Sequence, residues 1–189
     1  PNHSPVYKST SNIPGVVEEQ IGGTVYDVQS NASVSNRIYA YPDGTIAGIW
    51  TMGFSPTSYA DRGTGYNYFD GTVWGDAPTA RIEPVRTGWP SYCPLGDGEV
   101  VVAHDGSVGL RVSKRPVRGT GAWTTTSLPG TLGGAGMTWP RVTSSGNVLH
   151  ILVAAAGANA GLNLPILYYR SADGGTTWSV LNSGAGSSL

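Results

Sequence analysis

Three stretches of the chain repeat one pattern of strand, tight turn and strand. The second is Gly88-Trp-Pro-Ser-Tyr-Cys-Pro-Leu-Gly-Asp-Gly-Glu-Val-Val-Val-Ala-His104. The third is Thr138-Trp-Pro-Arg-Val-Thr-Ser-Ser-Gly-Asn-Val-Leu-His-Ile-Leu-Val-Ala154, and the first is Arg37-Ile-Tyr-Ala-Tyr-Pro-Asp-Gly-Thr-Ile-Ala-Gly-Ile-Trp50. Each turn contains Asp-Gly or Gly-Asn, residues that accept positive φ or bond their own backbone. The pattern therefore predicts three β-hairpins.

A second hairpin follows each of these stretches and ends near a tryptophan: Trp74, Trp123 and Trp178. Four short strands in about 50 residues is the period of a β-propeller blade. A β-sandwich would also show frequent turns, but it does not require the same pair of hairpins to recur. We therefore predict an all-β fold of four-stranded antiparallel propeller blades.

The repeats divide the chain into segments. Residues 36–87, 88–137 and 138–183 are expected to form blades one to three, after an N-terminal extension at 1–35 with a possible extra strand. Residues 184–189 are expected to form a linker or a frayed end. The apolar run Val148–Ala154 predicts a strand buried on both faces.

Three blades do not close a ring, because propellers normally have at least four. An open wedge would expose two apolar faces. We expect a ring of six to eight blades, completed by a further chain or by blades absent from this sequence.

Composition excludes several classes of protein. The 189 residues include 12% charged side chains and carry a formal net charge of −1, so a basic nucleic-acid-binding surface is not expected. The hydrophobic fraction of 39% argues against disorder. No apolar run is long enough for a membrane span. Low charge and few lysines suit an exported protein, and the single cysteine, Cys93, is expected to be a small buried apolar residue.

The motif Ser171-Ala-Asp-Gly-Gly-Thr-Thr-Trp178 lies in the last predicted hairpin. It resembles the Asp-box, the repeat of bacterial neuraminidases, at every defined position: Ser171, Asp173, Gly175, Thr177 and Trp178. In families that carry it, this turn joins the two outer strands of a blade, away from the active site. The resemblance implies a sialidase-like β-propeller and a structural role for these residues.

A second resemblance to sialidases concerns the first repeat. Arg37-Ile38-Tyr39 lies where sialidases have Arg-Ile-Pro, with Tyr39 in place of the proline. The resemblance implies that Arg37 belongs to a group of arginines that holds a substrate carboxylate, a task that suits the planar guanidinium. Arg62 lies where sialidases carry another arginine, and Asp61 is near the region of the general acid.

The catalytic set of a sialidase is incomplete in this chain. The family uses an acid/base aspartate, a tyrosine paired with a glutamate, and three arginines, and several of these come from later blades. Tyr66 is a candidate ligand-binding residue, but it lies in the wrong part of the ring for the nucleophile. Catalysis by this chain alone is not expected.

The segment from Asp61 to Pro90 is also similar to propeller ectodomains of secreted Bacteroidetes-type proteins, many exported by the type IX route. That similarity implies a secreted or cell-surface location. The arginines of this segment could line one mouth of the ring and bind a ligand. They could equally pair with Asp61, Asp76 and Glu83 as ties between blades.

The sequence contains no nucleotide fingerprint, phosphate loop or recognisable metal-ligand set, so no cofactor and no metal are expected. His104 and His150 occupy similar places in two blades and are expected to be hydrogen-bonded structural residues. The leading hypothesis is a secreted or cell-surface binding module for a glycan or a surface protein. The alternatives are a sialidase-like hydrolase completed by other blades, and a structural part of a surface or secretion assembly. Arg37, Arg62 and Arg141 would separate these, because convergence on one axial site favours carboxylate recognition.

Overall fold

A computed structural model describes residues 14–15, 17–30, 35–106, 109–129, 136–157 and 165–183. These residues form eleven β-strands and contain no helix. The strands are β1 (Ile38–Ala40), β2 (Ile46–Met52), β3 (Gly63–Phe69), β4 (Gly88–Leu95), β5 (Gly98–Asp105), β6 (Gly109–Arg115), β7 (Thr124–Pro129), β8 (Met137–Ser145), β9 (Val148–Ala155), β10 (Ile166–Ser171) and β11 (Ser179–Ser183). Residues 1–13 and 31–34 of the predicted extension and the predicted tail at 184–189 lie outside the described residues.

The strands form three antiparallel sheets that follow the sequence repeats. Two sheets have four strands each, in the orders β4-β5-β6-β7 and β8-β9-β10-β11, and each strand pairs with its neighbour along the chain. This up-and-down order is that of a propeller blade. The prediction of an all-β chain of propeller blades is confirmed.

The first sheet departs from the predicted four strands. It contains only β1, β2 and β3, and the expected outer strand is reduced to one bridge between Phe69 and Trp74. Asp70 accepts hydrogen bonds from the backbone of Thr72 and Val73 and tightens this segment into a turn. After this turn the Gly75 N–H donates to the Tyr68 carbonyl at 2.9 Å, and no strand is assigned between Trp74 and β4.

The main core lies between the second and third blades. Aliphatic side chains of β5 and β6 meet those of β9 and β10 there; the largest buried members are Leu110, Met137, Leu149, Ile151, Leu167 and Tyr169. Trp178 packs against the edge of this cluster. A smaller cluster between the first and second blades contains Tyr41, Ile49, Tyr92 and Val101.

The second strand of the second blade, β5, and that of the third blade, β9, differ in burial. All eight residues of β5 are buried, because this strand has a blade on either side. In β9 burial alternates, and Leu152 on its outer face is 51% exposed. The prediction that Val148–Ala154 is buried on both faces is wrong, because no described residue covers the outer face of the third blade.

The outer face of the first blade is covered by the N-terminal segment. Gly22 lies so close to Trp50 that an added Cβ would be 2.1 Å from the indole ring. The Trp50 Nε1 group donates to the Gly23 carbonyl at 3.3 Å, and the Asn67 amide donates to the Ile21 carbonyl at 2.6 Å. Residues 17–30 form no assigned strand. Of the two apolar faces expected to be exposed, the described residues cover that of the first blade and leave that of the third blade exposed.

No helix in the part of the chain that the structure describes is long and apolar enough to cross a membrane.

Candidate functional site

Two β-bulges mark the end of the sheets at which β4 and β8 begin, which we call the upper end. The strand register shifts between Gly88 and Ser91 and again between Thr138 and Arg141. At both bulges a tryptophan before a proline adopts a left-handed backbone, with φ of 48° at Trp89 and 55° at Trp139. Bulges and strained backbone are common beside functional sites, where they re-aim side chains.

Arg62 lies at the upper end between the first two blades and stacks on aromatic rings. Its Cζ atom is 4.7 Å from the ring centroid of Trp89 and 5.2 Å from that of Tyr26. Trp89 in turn stacks on His104, with the ring centroids 4.9 Å apart. The Arg62 Nε group donates to the Thr87 carbonyl at 2.8 Å, and Nη1 donates to the Tyr26 hydroxyl at 3.2 Å.

The charge of Arg62 has no carboxylate partner among the described residues, although the side chain is only 8% exposed. Burial lowers the pKa of Arg62, and the positive charge of Arg86 lowers it further. A buried cation is ordinarily paired or hydrogen-bonded. This one is held by neutral groups only, which leaves its charge uncompensated.

Three buried polar atoms at the upper end have no hydrogen-bond partner among the described residues: Thr51 Oγ1, Thr87 Oγ1 and Trp89 Nε1. Thr87 is bonded to Arg62 through its backbone, and Trp89 stacks on the guanidinium. The backbone of Thr51 is held by the Gln29 amide, which also donates to the Tyr26 carbonyl. Groups of this kind are costly to leave unpaired, so a cluster of them points to a water or a ligand.

His104 is kept neutral in this environment. Burial, and then the charges of Arg62 and Arg86, lower the pKa of His104 to about 4, against the opposing effect of Asp105. Its Nδ1 atom accepts a hydrogen bond from the Trp139 backbone N–H at 3.3 Å, so the proton of the neutral ring is on Nε2. His104 thereby links the bulge of the second blade to that of the third.

Arg37 and Arg141 lie near each other on the inner side of the blades. Burial lowers the pKa of Arg37, and the charge of Arg141 adds to this effect. The Arg37 Nη1 group donates to the Gln29 side chain at 3.1 Å, and the Arg141 Nη1 group donates to the Pro140 carbonyl at 2.9 Å. Both cations donate hydrogen bonds to neutral oxygen atoms at or near the upper end.

Two of the predicted ligand-binding residues, Asp61 and Tyr66, form hydrogen bonds within the protein. The Asp61 carboxylate accepts hydrogen bonds from the backbone N–H groups of Phe54 and Ser55 at 2.7 and 3.1 Å. The Tyr66 hydroxyl donates to Glu99 at 3.0 Å, and burial raises its pKa well above the ordinary value. A tyrosine whose ionisation is suppressed in this way is a poor nucleophile.

Arg81 and Arg86 were expected as possible partners of carboxylates, but their hydrogen bonds go to backbone carbonyls. Arg81 donates to the carbonyls of Ala60 and Arg62, and Arg86 donates to those of Ser58 and Tyr59. Glu83 is buried and accepts from Thr64 rather than from an arginine. These arginines brace loops through backbone carbonyls.

The motif at Ser171–Trp178 folds into a closed turn at the lower end, opposite the bulges. Asp173 accepts from the backbone and hydroxyl groups of Thr177, at 2.9 and 2.6 Å, and these bonds hold its pKa far below the ordinary value. Ser171 accepts from the Gly175 backbone at 2.7 Å. The described residues contain no group of three or more metal-ligating side chains at this turn or elsewhere.

The role of the two bulge tryptophans, Trp89 and Trp139, was not predictable from the sequence. A Trp-Pro pair occurs in both the second and the third repeat, at Trp89 and Trp139, but residue propensities do not predict a positive φ for tryptophan. His104 and His150 also differ despite their similar places: His104 contacts Trp89, whereas His150 stacks on Tyr168 on the outer face of the third blade.

The chain is an all-β protein built of propeller blades, with the Arg62 guanidinium stacked on Trp89 at its upper end. No family model matches it, and no curated protein matches it significantly. Among solved structures, a GH43 endo-arabinanase from Bacillus licheniformis is similar at 16% sequence identity and a TM-score of 0.41, over 76% of this chain. The match spans 58% of that enzyme's chain.

Proposed function

We propose that the chain is a secreted or cell-surface propeller module that binds an acidic glycan at its upper end. The observation that carries the proposal is the buried guanidinium of Arg62, which has no carboxylate partner among the described residues and lies beside unpartnered polar atoms of Thr87 and Trp89. A carboxylate is the group whose charge and geometry match an arginine.

The neighbouring side chains supply further contacts for a sugar acid. Arg37 and Arg141 add positive charge on the inner side. Trp139 is 36% exposed and offers an apolar ring face. Pockets that combine aromatic walls with a few fixed polar groups are typical of small-ligand sites.

The hydrolase alternative receives less support from the candidate residues. Asp61 is occupied by two backbone N–H groups, and Tyr66 is held by Glu99. We therefore favour binding without turnover.

Completion of the ring is a second part of the proposal. The exposed outer face of the third blade corresponds in register to the face of the second blade that the third blade covers. A further blade, from another chain or from a longer form of this one, would cover it in the same way. Such a blade would place additional residues around the upper end.

The test is a binding titration of the protein with 3′-sialyllactose, with lactose as the neutral comparison. We expect sialyllactose to perturb the indole N–H signals of Trp89 and Trp139 in NMR spectra and lactose to leave them unchanged. Arg37→Gln and Arg62→Lys should each weaken binding by about tenfold or more, because each weakens or removes a charge-assisted contact. Arg118→Gln is the matched control, since Arg118 lies at the lower end and pairs with Asp43.

Equal response to both sugars, or equal affinity of the Arg37 variant and the control, would contradict the proposal. Release of free sialic acid during the titration would instead support the hydrolase alternative. Absence of any binding would favour a structural role in an assembly.

A further inference from the structure

The outer face of the third blade repeats, in register, the face of the second blade that the third blade covers. Leu152 and Ile166 lie on this outer face and are 51% and 44% exposed. Their pairing partners place them where Val102 and Leu110 lie in the second blade. Val102 and Leu110 are both fully buried in the core between the second and third blades. A further blade would therefore meet a face built like one that already binds a blade.

Lys114 joins the second blade to the third at the lower end. Its Nζ atom donates to the Gly174 carbonyl at 2.6 Å, in the turn that resembles the Asp-box. Ser171 and Asp173 hold this turn closed through hydrogen bonds of their own. The Gly174 carbonyl is thereby fixed in place as an acceptor for a cation on the preceding blade.

Arg170 occupies in the third blade the position that Lys114 has in the second. Lys114 pairs with Val100, Arg170 pairs with His150, and these two partners are each the third residue of the second strand of their blade. Burial alternates along β10, and Arg170 is on its exposed side, so its side chain lies on the outer face. The guanidinium donates no hydrogen bond to another described residue.

The charges of the third blade decide which kind of partner fits its outer face. Its charged residues are Arg141, Arg170 and Asp173, and the aspartate is bonded within its own turn. A symmetric dimer through this face would bring two surfaces of like charge together and is disfavoured. A partner that presents oxygen acceptors is favoured instead.

His150 and Tyr168 on the outer face are already paired with each other. The His150 Nδ1 atom and the Tyr168 hydroxyl share a hydrogen bond at 2.6 Å, and the two rings stack with their centroids 5.9 Å apart. A covering blade would therefore not leave these two atoms without a partner. With Leu152 and Ile166 apolar, Arg170 is the residue of these five for which a partner must supply an acceptor.

We propose that the outer face of the third blade binds a further propeller blade whose outer turn places a backbone carbonyl against Arg170. The inference rests on the completion of the ring proposed above and names the contact that selects the added blade. The partner's turn is of the Asp-box type, because the turn at Ser171–Trp178 provides this carbonyl to Lys114. Arginine can take the place of lysine in this contact, since both are long cations with several N–H donors.

The test supplies such a blade as a second copy of residues 130–183, appended to the full chain after Ser183. This probe carries the Asp-box turn, and residues 130–136 connect it as they connect the second blade to the third. Leu152→Cys in the first copy reports coverage of the face, because the chain's own cysteine, Cys93, is buried. We expect its reaction with a thiol reagent to be slower by about tenfold or more in the extended chain, because a covered thiol reacts only when the interface opens.

Arg170→Gln in the first copy should raise the reaction rate of the extended chain by about tenfold, because it removes a charge-assisted hydrogen bond. It should leave the rate of the unextended chain unchanged. Arg170→Lys should keep the protection, since a lysine makes the equivalent contact at Lys114. The matched control is Arg170→Gln in the appended copy, where the same position faces solvent and the substitution should have no effect.

Equal reactivity of the thiol with and without the appended blade overturns the proposal, whether the appended blade is folded or unfolded. Equal rates for Arg170→Gln in the first and in the appended copy overturn it too. Slow reaction of the unextended chain, together with a dimer in light scattering, would assign the face to a second copy and also overturn it. Glycan binding is read at the indoles of Trp89 and Trp139 in the unextended chain, so failure of that proposal is distinguishable from failure of this one.

Discussion

Glu99 is a fully buried carboxylate that joins the first two blades. It accepts from the hydroxyls of Tyr66 and Tyr92 at 3.0 and 2.5 Å and from the Gly119 N–H at 3.1 Å, and it pairs with Arg115. Each of the two carboxylate oxygens of Glu99 accepts two hydrogen bonds, and these bonds offset the cost of burying its charge. The cluster is thus a polar counterpart of the apolar core between blades two and three.

We expect Glu99→Gln to destabilise the protein by about 3 kcal/mol, because it leaves the buried charge of Arg115 without its counter-ion. Asp97→Asn, two residues away in an exposed turn, should change the free energy of unfolding by less than about 0.5 kcal/mol. Urea unfolding of the two variants measures both values. Equal stability of the two variants would show that the pair contributes nothing.

His104 makes stability depend on pH. Its folded-state pKa of about 4 lies below the ordinary value of 6.5, so the unfolded chain binds a proton more readily between these values. Stability is therefore full above pH 6.5 and is lost as the pH falls toward 4, by about 3 kcal/mol from this group.

The measurement is urea unfolding at pH 7 and pH 5 for the native chain, His104→Gln and His150→Gln. The loss of stability on acidification should be smaller for His104→Gln than for the native chain. The His150 variant should lose as much as the native chain, since it keeps His104. An identical loss in all three proteins would place the acid sensitivity elsewhere.

At the scale of elements, the Trp-Pro bulges lie at the beginning of β4 and β8, the innermost strands of the second and third blades. The backbone of a residue other than glycine is strained at positive φ, by about 1 kcal/mol or more. Trp139 accepts this strain at φ 55° on a strand whose next residue, Pro140, has no N–H to donate. The bulge directs the Trp139 ring toward solvent at the upper end.

We expect Trp139→Gly to be more stable than Trp139→Ala by about 1 kcal/mol, because glycine adopts positive φ without strain. At Thr143 on the same strand, which has an ordinary backbone, the order should reverse and alanine should be the more stable. Thermal unfolding of the four variants gives the comparison. Alanine above glycine at both positions would mean that the bulge does not exist in solution.

Strand pairing was predictable from sequence, whereas burial and bulges were not. The turns at Gly96-Asp97 and Gly146-Asn147 fix the hairpins β4–β5 and β8–β9 locally, so both were found within two residues at each end. Burial of β9 depends on a neighbouring sheet, about which its own apolar run carries no information. Arg62 was identified as a candidate, but its stacking on Trp89 depends on a backbone conformation that propensities disfavour.

At the scale of the whole molecule, the outer faces of the first and third blades differ in how they are covered. The N-terminal segment covers the first blade, whereas the third blade leaves Leu152 and Ile166 exposed. Leu152 pairs with Arg141 and Tyr168 as Val102 pairs with Ser91 and Val112, so Leu152 and Val102 occupy equivalent positions in successive blades. The repeat thus identifies a blade as the element that covers this kind of face.

This equivalence gives a test of whether the array is open in solution. In the isolated chain Val102→Ala should cost about 2 kcal/mol, because the side chain is fully buried, whereas Leu152→Ala should cost less than about 1 kcal/mol despite removing more atoms. Urea unfolding at low protein concentration, with light scattering on the same samples, measures the difference. If Leu152→Ala proves as costly as Val102→Ala, the outer face is already covered in solution. Light scattering on the same samples would then show whether a second copy of the chain covers it.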